Sequence, residues 1–173
     1  MAISLFDASI PSYLQTLGAV SGFLEKGLSY CKDHNVDAET IVEARLFHDM
    51  LPLRFQIQSV AHHSLGAIEG IKNGVFRPPK DLPEHNYQGL QTLIADARDA
   101  LLKLTAEDVN RYEGAEVVFE VRDKKLPFTA ENFVLSFSLP NFHFHAATAY
   151  DILRAKGVPV GKMDFLGAMR LKA

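Results

Sequence analysis

Apolar residues recur at steps of three and four positions along three long stretches of the chain, which is the spacing of one face of an α-helix. These stretches predict helices over residues 9–34, 50–73 and 87–104. Pro11 fits the first turn of the first helix, where its missing N–H is not needed, and Gly74 fits the end of the second. Three amphipathic helices of this length indicate a mainly helical core.

Shorter segments lie between these helices. Residues 38–47 predict a short helix, after which Asp49 has the side chain of an N-cap for the second long helix. The proline-rich residues 75–85 predict a connection without regular structure that crosses along a bundle. Residues 105–108 predict one more short helical turn.

After these segments, the spacing of apolar residues changes from that of a helix to the alternation typical of a β-strand. Residues 116–121 and 125–128 flank a polar turn, and together they predict a small β-hairpin. Pro127 has no N–H to donate, so it restricts the second strand to an edge.

A helix-start pattern after the hairpin leads into the last long helix. Pro140 either kinks one continuous helix or begins a second one. Gly157 ends the helix, and residues 158–167 predict an extended tail that docks Phe165 and Leu166 on the bundle.

Four long helices with apolar faces predict an all-α four-helix bundle. A long crossover joins helices 2 and 3, and the small β-hairpin precedes the last helix. A chain of 173 residues with 47% hydrophobic content can bury one substantial core, so we expect a single domain over residues 1–173.

Charge and cysteine content exclude several classes of protein. The net charge of -3 and the lack of Lys or Arg runs argue against nucleic acid as a partner. No stretch approaches the ~20 apolar residues of a membrane span. The single cysteine cannot form an internal disulfide, and the first residues lack the pattern of a signal peptide, which together predict a cytoplasmic protein.

The last helix carries the most informative polar residues. Successive helical residues turn by roughly 100°, which puts Asn141, His145 and Ala149 on one stripe. His145 therefore faces the bundle, as either a core histidine or a metal ligand. His143 lies about 200° from His145 around the helix, so it belongs to a surface or an interface.

Four segments are informative as motifs: residues 49–53 (DMLPL), 142–145 (FHFH), 148–154 (TAYDILR) and 157–165 (GVPVGKMDF). They resemble an uncharacterised subfamily, a domain of unknown function, within the DinB/YfiT-like superfamily. The fourth helix of that superfamily usually reads His-x-x-x-His followed by Leu-Arg-x-x-Gly. The resemblance runs nearly end to end and implies a DinB/YfiT-like four-helix bundle.

The resemblance also implies a site. Many members hold a divalent metal ion with three histidines, one from the second helix and two from the fourth, and many dimerise. Here His63 or His62 would be the second-helix ligand and His145 a fourth-helix ligand, while Asn141 stands where the other histidine is usual. Ala67 matches a small residue common four positions after that ligand, which favours His63. Zinc or nickel would be the cofactor, and the protein a homodimer.

Asn141 changes the chemistry expected of that site. Histidines four apart on a helix reach one ion from adjacent turns, and Asn141 breaks this pair. An amide oxygen is a neutral, hard ligand that suits calcium or magnesium better than zinc or nickel. The pattern therefore favours a degenerate metal site.

Two functions from different classes follow. The first is a small-ligand-binding or structural dimer with a degenerate metal site. In it Tyr150 and Arg154 point outward, to stack, to reach the tail or another subunit, or to bind a carboxylate ligand. The second is a divalent-metal-dependent transferase or hydrolase, in which His145, one of His62 and His63, and a further group hold the ion and activate water or a thiol. The sequence favours the first and leaves open whether the protein is an enzyme.

Overall fold

The structure, a computed structural model, describes residues 3–172. Helix α1 (Leu5–Asp33) is the longest element. It begins four residues earlier than predicted because Ser4 and Asp7 form a capping box: the Ser4 hydroxyl accepts from the Asp7 N–H at 3.1 Å, and the Asp7 carboxylate accepts from the Ser4 N–H. Pro11 consequently lies inside the helix rather than in its first turn.

The predicted second helix is two helices. After the short α2 (Ala38–Val42), α3 (Leu53–His62) and α4 (Leu65–Asn73) are separated by a break at His63 and Ser64. The Ser64 hydroxyl donates to the carbonyl of Val60 at 2.8 Å, a side-chain bond that competes with regular helix geometry.

The start and end of this region also differ from the prediction. The N-cap of α3 is Pro52, so the prediction that Asp49 caps this helix is wrong. The short helix ends at Val42, before the predicted residue 47. Gly74 ends α4 as predicted, with a φ of 69° that favours glycine.

A three-stranded sheet lies beside the helices. Strand β1 (Val75–Phe76) pairs in parallel with β2 (Glu116–Val121), and β2 pairs antiparallel with β3 (Lys124–Thr129). The hairpin and the edge position of Pro127 are confirmed. The prediction of no regular structure over residues 75–85 is wrong at its first two residues, because their backbone pairs with β2.

The remaining helices follow the prediction closely. Helix α5 (Tyr87–Leu102) is followed by the short α6 (Ala106–Asn110), which Thr105 and Asp108 cap. Helix α7 (Ala130–Phe133) continues through a π-helical segment (Val134–Ser138) into α8 (Leu139–Ala155). The last helix is thus continuous through Pro140, and the wide π turn precedes the position where the N–H is missing.

The end of the chain is helical rather than fully extended. Gly157 ends α8 with a φ of 93°, and residues 162–166 form α9 (Lys162–Leu166). The side-chain amide of Gln15 donates to the carbonyl of Leu166 at 2.9 Å, and the ring of Phe165 packs against Tyr150. The predicted docking of this segment on the bundle is therefore confirmed.

Helices α1, α3–α4, α5 and α8 pack around one apolar core, which confirms the all-α four-helix bundle with a small sheet. The largest fully buried side chains in it are aromatic: Tyr13, Phe23, Tyr87, Phe133 and Phe142. Within residues 3–172, no helix is long and apolar enough to cross a membrane.

Candidate functional site

A cavity of about 250 Å³ lies between α3, the π segment, the start of α8 and the sheet. The proline-rich segment after β1 covers it, and we call residues 78–82 the strap. The lining consists of Phe55, Gln58, Ser59, His62, His63, Phe76, Pro78, Pro79, Leu82, Phe119, Phe137, Asn141 and His145. All four residues of the predicted metal site are therefore at this cavity.

His63 lies at the break between α3 and α4 and lines the cavity. Its side chain is only 9% exposed, and its Nδ1 is buried with no hydrogen-bond partner among residues 3–172. The His63 carbonyl accepts a bond of 2.6 Å from the Ser138 hydroxyl, which itself lies 2.6 Å from the hydroxyl of Tyr13. Because Ser138 has one proton and gives it to His63, Tyr13 donates to Ser138.

The position of His145 is fixed by Gln56, which is buried in the apolar face of α3. The Gln56 amide nitrogen lies 2.9 Å from the carbonyl of Leu51, which can only accept. The Gln56 Oε1 therefore faces His145, 2.8 Å from its Nδ1. That oxygen also only accepts, so His145 carries its proton on Nδ1 and has a lone pair on Nε2.

Both histidines are uncharged near pH 7. Burial, followed by the neighbouring His62 and His145, lowers the pKa of His63 to about 3. Burial lowers the pKa of His145 to about 4. The two rings are nearly parallel, at 16°, with centroids 5.7 Å apart.

His62 and Asn141 complete the polar part of the cavity. The resemblance left both second-helix histidines, His62 and His63, as candidate ligands and favoured His63. In the structure both line the cavity, and His62 packs against Phe76. The Asn141 amide nitrogen donates one hydrogen to the carbonyl of Phe137 at 2.7 Å, so its Oδ1 and its second N–H are left for a ligand.

These side chains do not fit a three-histidine metal centre. In the described part of the chain, no three His, Cys, Asp or Glu side chains are placed to hold one ion. The stacked rings of His63 and His145 and the neutral amide of Asn141 do not supply the convergent imidazoles that zinc or nickel prefers. Zinc or nickel binding remains a prediction of the resemblance.

The two predicted ligand-binding residues lie elsewhere. The buried face of α8 centres on Phe142, Ala146, Ala149 and Leu153. This face is rotated from the predicted stripe, so Tyr150 packs against Phe23 and Phe165 instead of pointing outward. Its packing against Phe165 confirms the predicted contact of Tyr150 with the tail. Arg154 is exposed. His143 is half-buried outside the cavity lining, and burial lowers its pKa. A ligand role for Tyr150 and Arg154 stays a prediction.

The sequence predicted residues 75–85 as a connection, but it did not place the strap, Gln56 or Ser138 at the site. Gln56 had a usable signal, because it occupies a stripe position of α3 between Leu53 and Val60, and a buried amide requires partners. Ser138 and the strap had none, because their roles depend on which elements meet in three dimensions.

Comparisons with known proteins agree with this fold. The family described as a domain of unknown function (DUF1993) matches residues 5–166. The chain is also similar to the crystal structure of a DinB family member protein from Shewanella denitrificans. The two are 26% identical, with a TM-score of 0.81 over 98% of this chain and 95% of that one. No curated protein matches significantly. The chain therefore belongs to the DUF1993 family, a domain of unknown function within the DinB/YfiT-like superfamily.

Proposed function

We propose that the protein binds a small ligand in the cavity between α3 and α8 and needs no metal ion to do so. The observation that carries this proposal is a pair of buried ring nitrogens without a partner among residues 3–172, the Nδ1 of His63 and the Nε2 of His62. They line the same cavity as His145, whose Nε2 has a free lone pair. Buried polar atoms normally have a partner, and two histidines on one cavity without partners for these atoms favour a ligand that supplies them. The resemblance further predicts that the protein acts as a homodimer.

The rest of the cavity fits this role. Phenylalanine rings form most of its apolar wall, and hydrogen bonds within the protein orient three of its polar side chains, Gln58, Asn141 and His145. The strap is anchored on the bundle at its C-terminal end, because the amide of Gln58 donates to the carbonyl of the next residue, Pro83, at 2.7 Å. A ligand would thus meet preformed walls rather than a site that must first fold.

Filling the cavity is expected to abolish binding. Ser59 lines the cavity from α3, and Ser59→Phe would place a phenyl ring in the space that a ligand needs. A fragment library screened by NMR on labelled protein should shift resonances of cavity residues in the wild type. The same fragments should bind at least about tenfold more weakly to Ser59→Phe, a loss of about 1.4 kcal/mol.

Thr92→Phe is the matched control, because it adds the same ring on the exposed face of α5, and it should bind fragments as the wild type does. The proposal fails if no fragment shifts the cavity resonances. It also fails if fragments bind Ser59→Phe and the wild type equally while both variants remain folded.

The second candidate is a divalent-metal-dependent transferase or hydrolase. One observation favours it: the Nδ1 of His145 is held by an acceptor, which is how proteins commonly orient metal-binding histidines. Under our proposal, protein purified without chelator should contain no stoichiometric metal ion. Elemental analysis beside His145→Ala and the control His143→Ala tests this. One tightly held ion per chain that His145→Ala alone removes would establish the metal-dependent alternative.

A further inference from the structure

We infer that the ligand of this cavity is an uncharged planar molecule of about two fused rings that donates one N–H or O–H hydrogen bond to the Nε2 of His145. This inference rests on the proposed function and specifies the class of ligand.

The direction of the hydrogen bond between ligand and His145 follows from a series of bonded atoms, each of which can only donate or only accept. The Leu51 carbonyl accepts from Gln56, so the Gln56 oxygen accepts from Nδ1 of His145. A neutral imidazole with its proton on Nδ1 can only accept through Nε2. The ligand must therefore bring the proton, and a ligand with acceptors alone would leave this nitrogen without a bond.

We expect an uncharged ligand because of the residues that line the cavity. Among the described residues that form the cavity wall, none is Asp, Glu, Lys or Arg. Arg77, next to the strap, forms an ion pair with Glu120 at the sheet. A carboxylate or phosphate would find no cation in the cavity and an ammonium group no anion, so either would lose its hydration without compensation.

The planar shape and the size follow from the walls and the volume. Phe76, Phe119 and Phe137 form a cluster of rings with centroids 4.5 to 6.0 Å apart, beside the imidazole of His63. Flat aromatic faces pack best against another flat ring. An engineered cavity of about 150 Å³ holds one benzene ring, so a volume of about 250 Å³ accommodates about two fused rings.

Indole and 1-methylindole test the inference, because they share the ring system and differ in the N–H donor. The chain contains no tryptophan, so indole fluorescence can be followed directly in a titration of the wild-type protein. Indole should bind at least about tenfold more tightly than 1-methylindole, the ratio expected for one hydrogen bond to an acceptor that lines the cavity. In His145→Leu the two probes should bind equally, and in His143→Ala the wild-type ratio should remain.

The wild-type comparison needs no variant, so a misfolded His145→Leu would not prevent the test. Equal affinities of the wild type for indole and 1-methylindole would overturn the donor requirement. Tighter binding of benzoate or benzylammonium than of indole would overturn the requirement for an uncharged ligand. If neither indole binds while library fragments still shift the cavity resonances, the ligand class is wrong and the proposed function stands. If no fragment shifts them, both fail.

Discussion

Lowering the pH from 7 to 4 is expected to reduce the free energy of unfolding by about 2–4 kcal/mol through His63 and His145. Folding lowers the pKa of His63 from 6.5 to about 3 and that of His145 from 6.5 to about 4, mainly because both rings are buried. The full shifts correspond to a larger loss, but solvent reaches the cavity and screens part of it.

The sign follows from which state binds the proton. Above pH 6.5 both histidines are neutral in the folded and the unfolded chain, so they add no pH dependence. Below pH 6.5 these histidines bind protons in the unfolded chain but stay neutral in the folded chain, so the free energy of unfolding falls. The loss ends near pH 3 to 4, where the folded protein is protonated as well.

Urea unfolding at pH 7, 5.5 and 4 measures this effect. The double variant His63→Gln, His145→Gln should lose less stability than the wild type over this range. The comparison is needed because carboxylates with lowered pKa values, such as those of Asp108 and Asp164, also lose favourable contacts in acid. Identical losses in wild type and double variant would show that these histidines are not the source.

Ser138→Ala is expected to lower the free energy of unfolding by about 2–4 kcal/mol. The Ser138 hydroxyl is fully buried and joins the Tyr13 hydroxyl to the carbonyl of His63. Removing it leaves a buried donor and a buried acceptor unpaired, each costing about 1–3 kcal/mol, and part of this is relieved by local rearrangement. Urea or thermal unfolding measures the loss.

Ser136→Ala is the matched control. Its hydroxyl also bonds a helix carbonyl, that of Asn132, but the side chain is exposed, so the change should stay within about 0.5 kcal/mol. Equal stability of the two variants would mean that the link from Tyr13 through Ser138 to the helix break contributes nothing. Spectra of Ser138→Ala should also show shifted resonances at His63, because its carbonyl loses the bond that fixes the break.

The sequence predicted the helices because their apolar periodicity extends over many turns. It did not predict the break at His63 and Ser64, since apolar residues continue in register across it, from Val60 to Ile68. Strand β1 was also missed. Two residues carry too little pattern to be recognised, and Val75 and Phe76 are a strand only because β2 lies beside them.

The sequence predicted which histidines lie at the candidate site, but it did not predict their hydrogen-bonding roles. Periodicity and the family resemblance together brought His63 and His145 to one place. The proton position on His145 depends on Gln56, which comes from another helix 89 residues earlier in the chain. Long-range partners of this kind leave no periodic signal, so the acceptor character of the cavity became visible only in the structure.

Because of the π segment of Val134–Ser138, the number of residues between the hairpin and His145 cannot change without moving His145. A π turn contains one residue more than the α-helical path it replaces. In a chain one residue shorter here, a regular α turn would bring the ring of Pro140 against the carbonyl four residues back. If the shorter helix kept its π turn, all residues after Leu139 would be rotated about the helix axis by roughly 100° relative to the sheet. The side chain of His145 would then no longer contact Gln56. Insertions are therefore tolerated in the strap more readily than in this helix, although both border the same cavity.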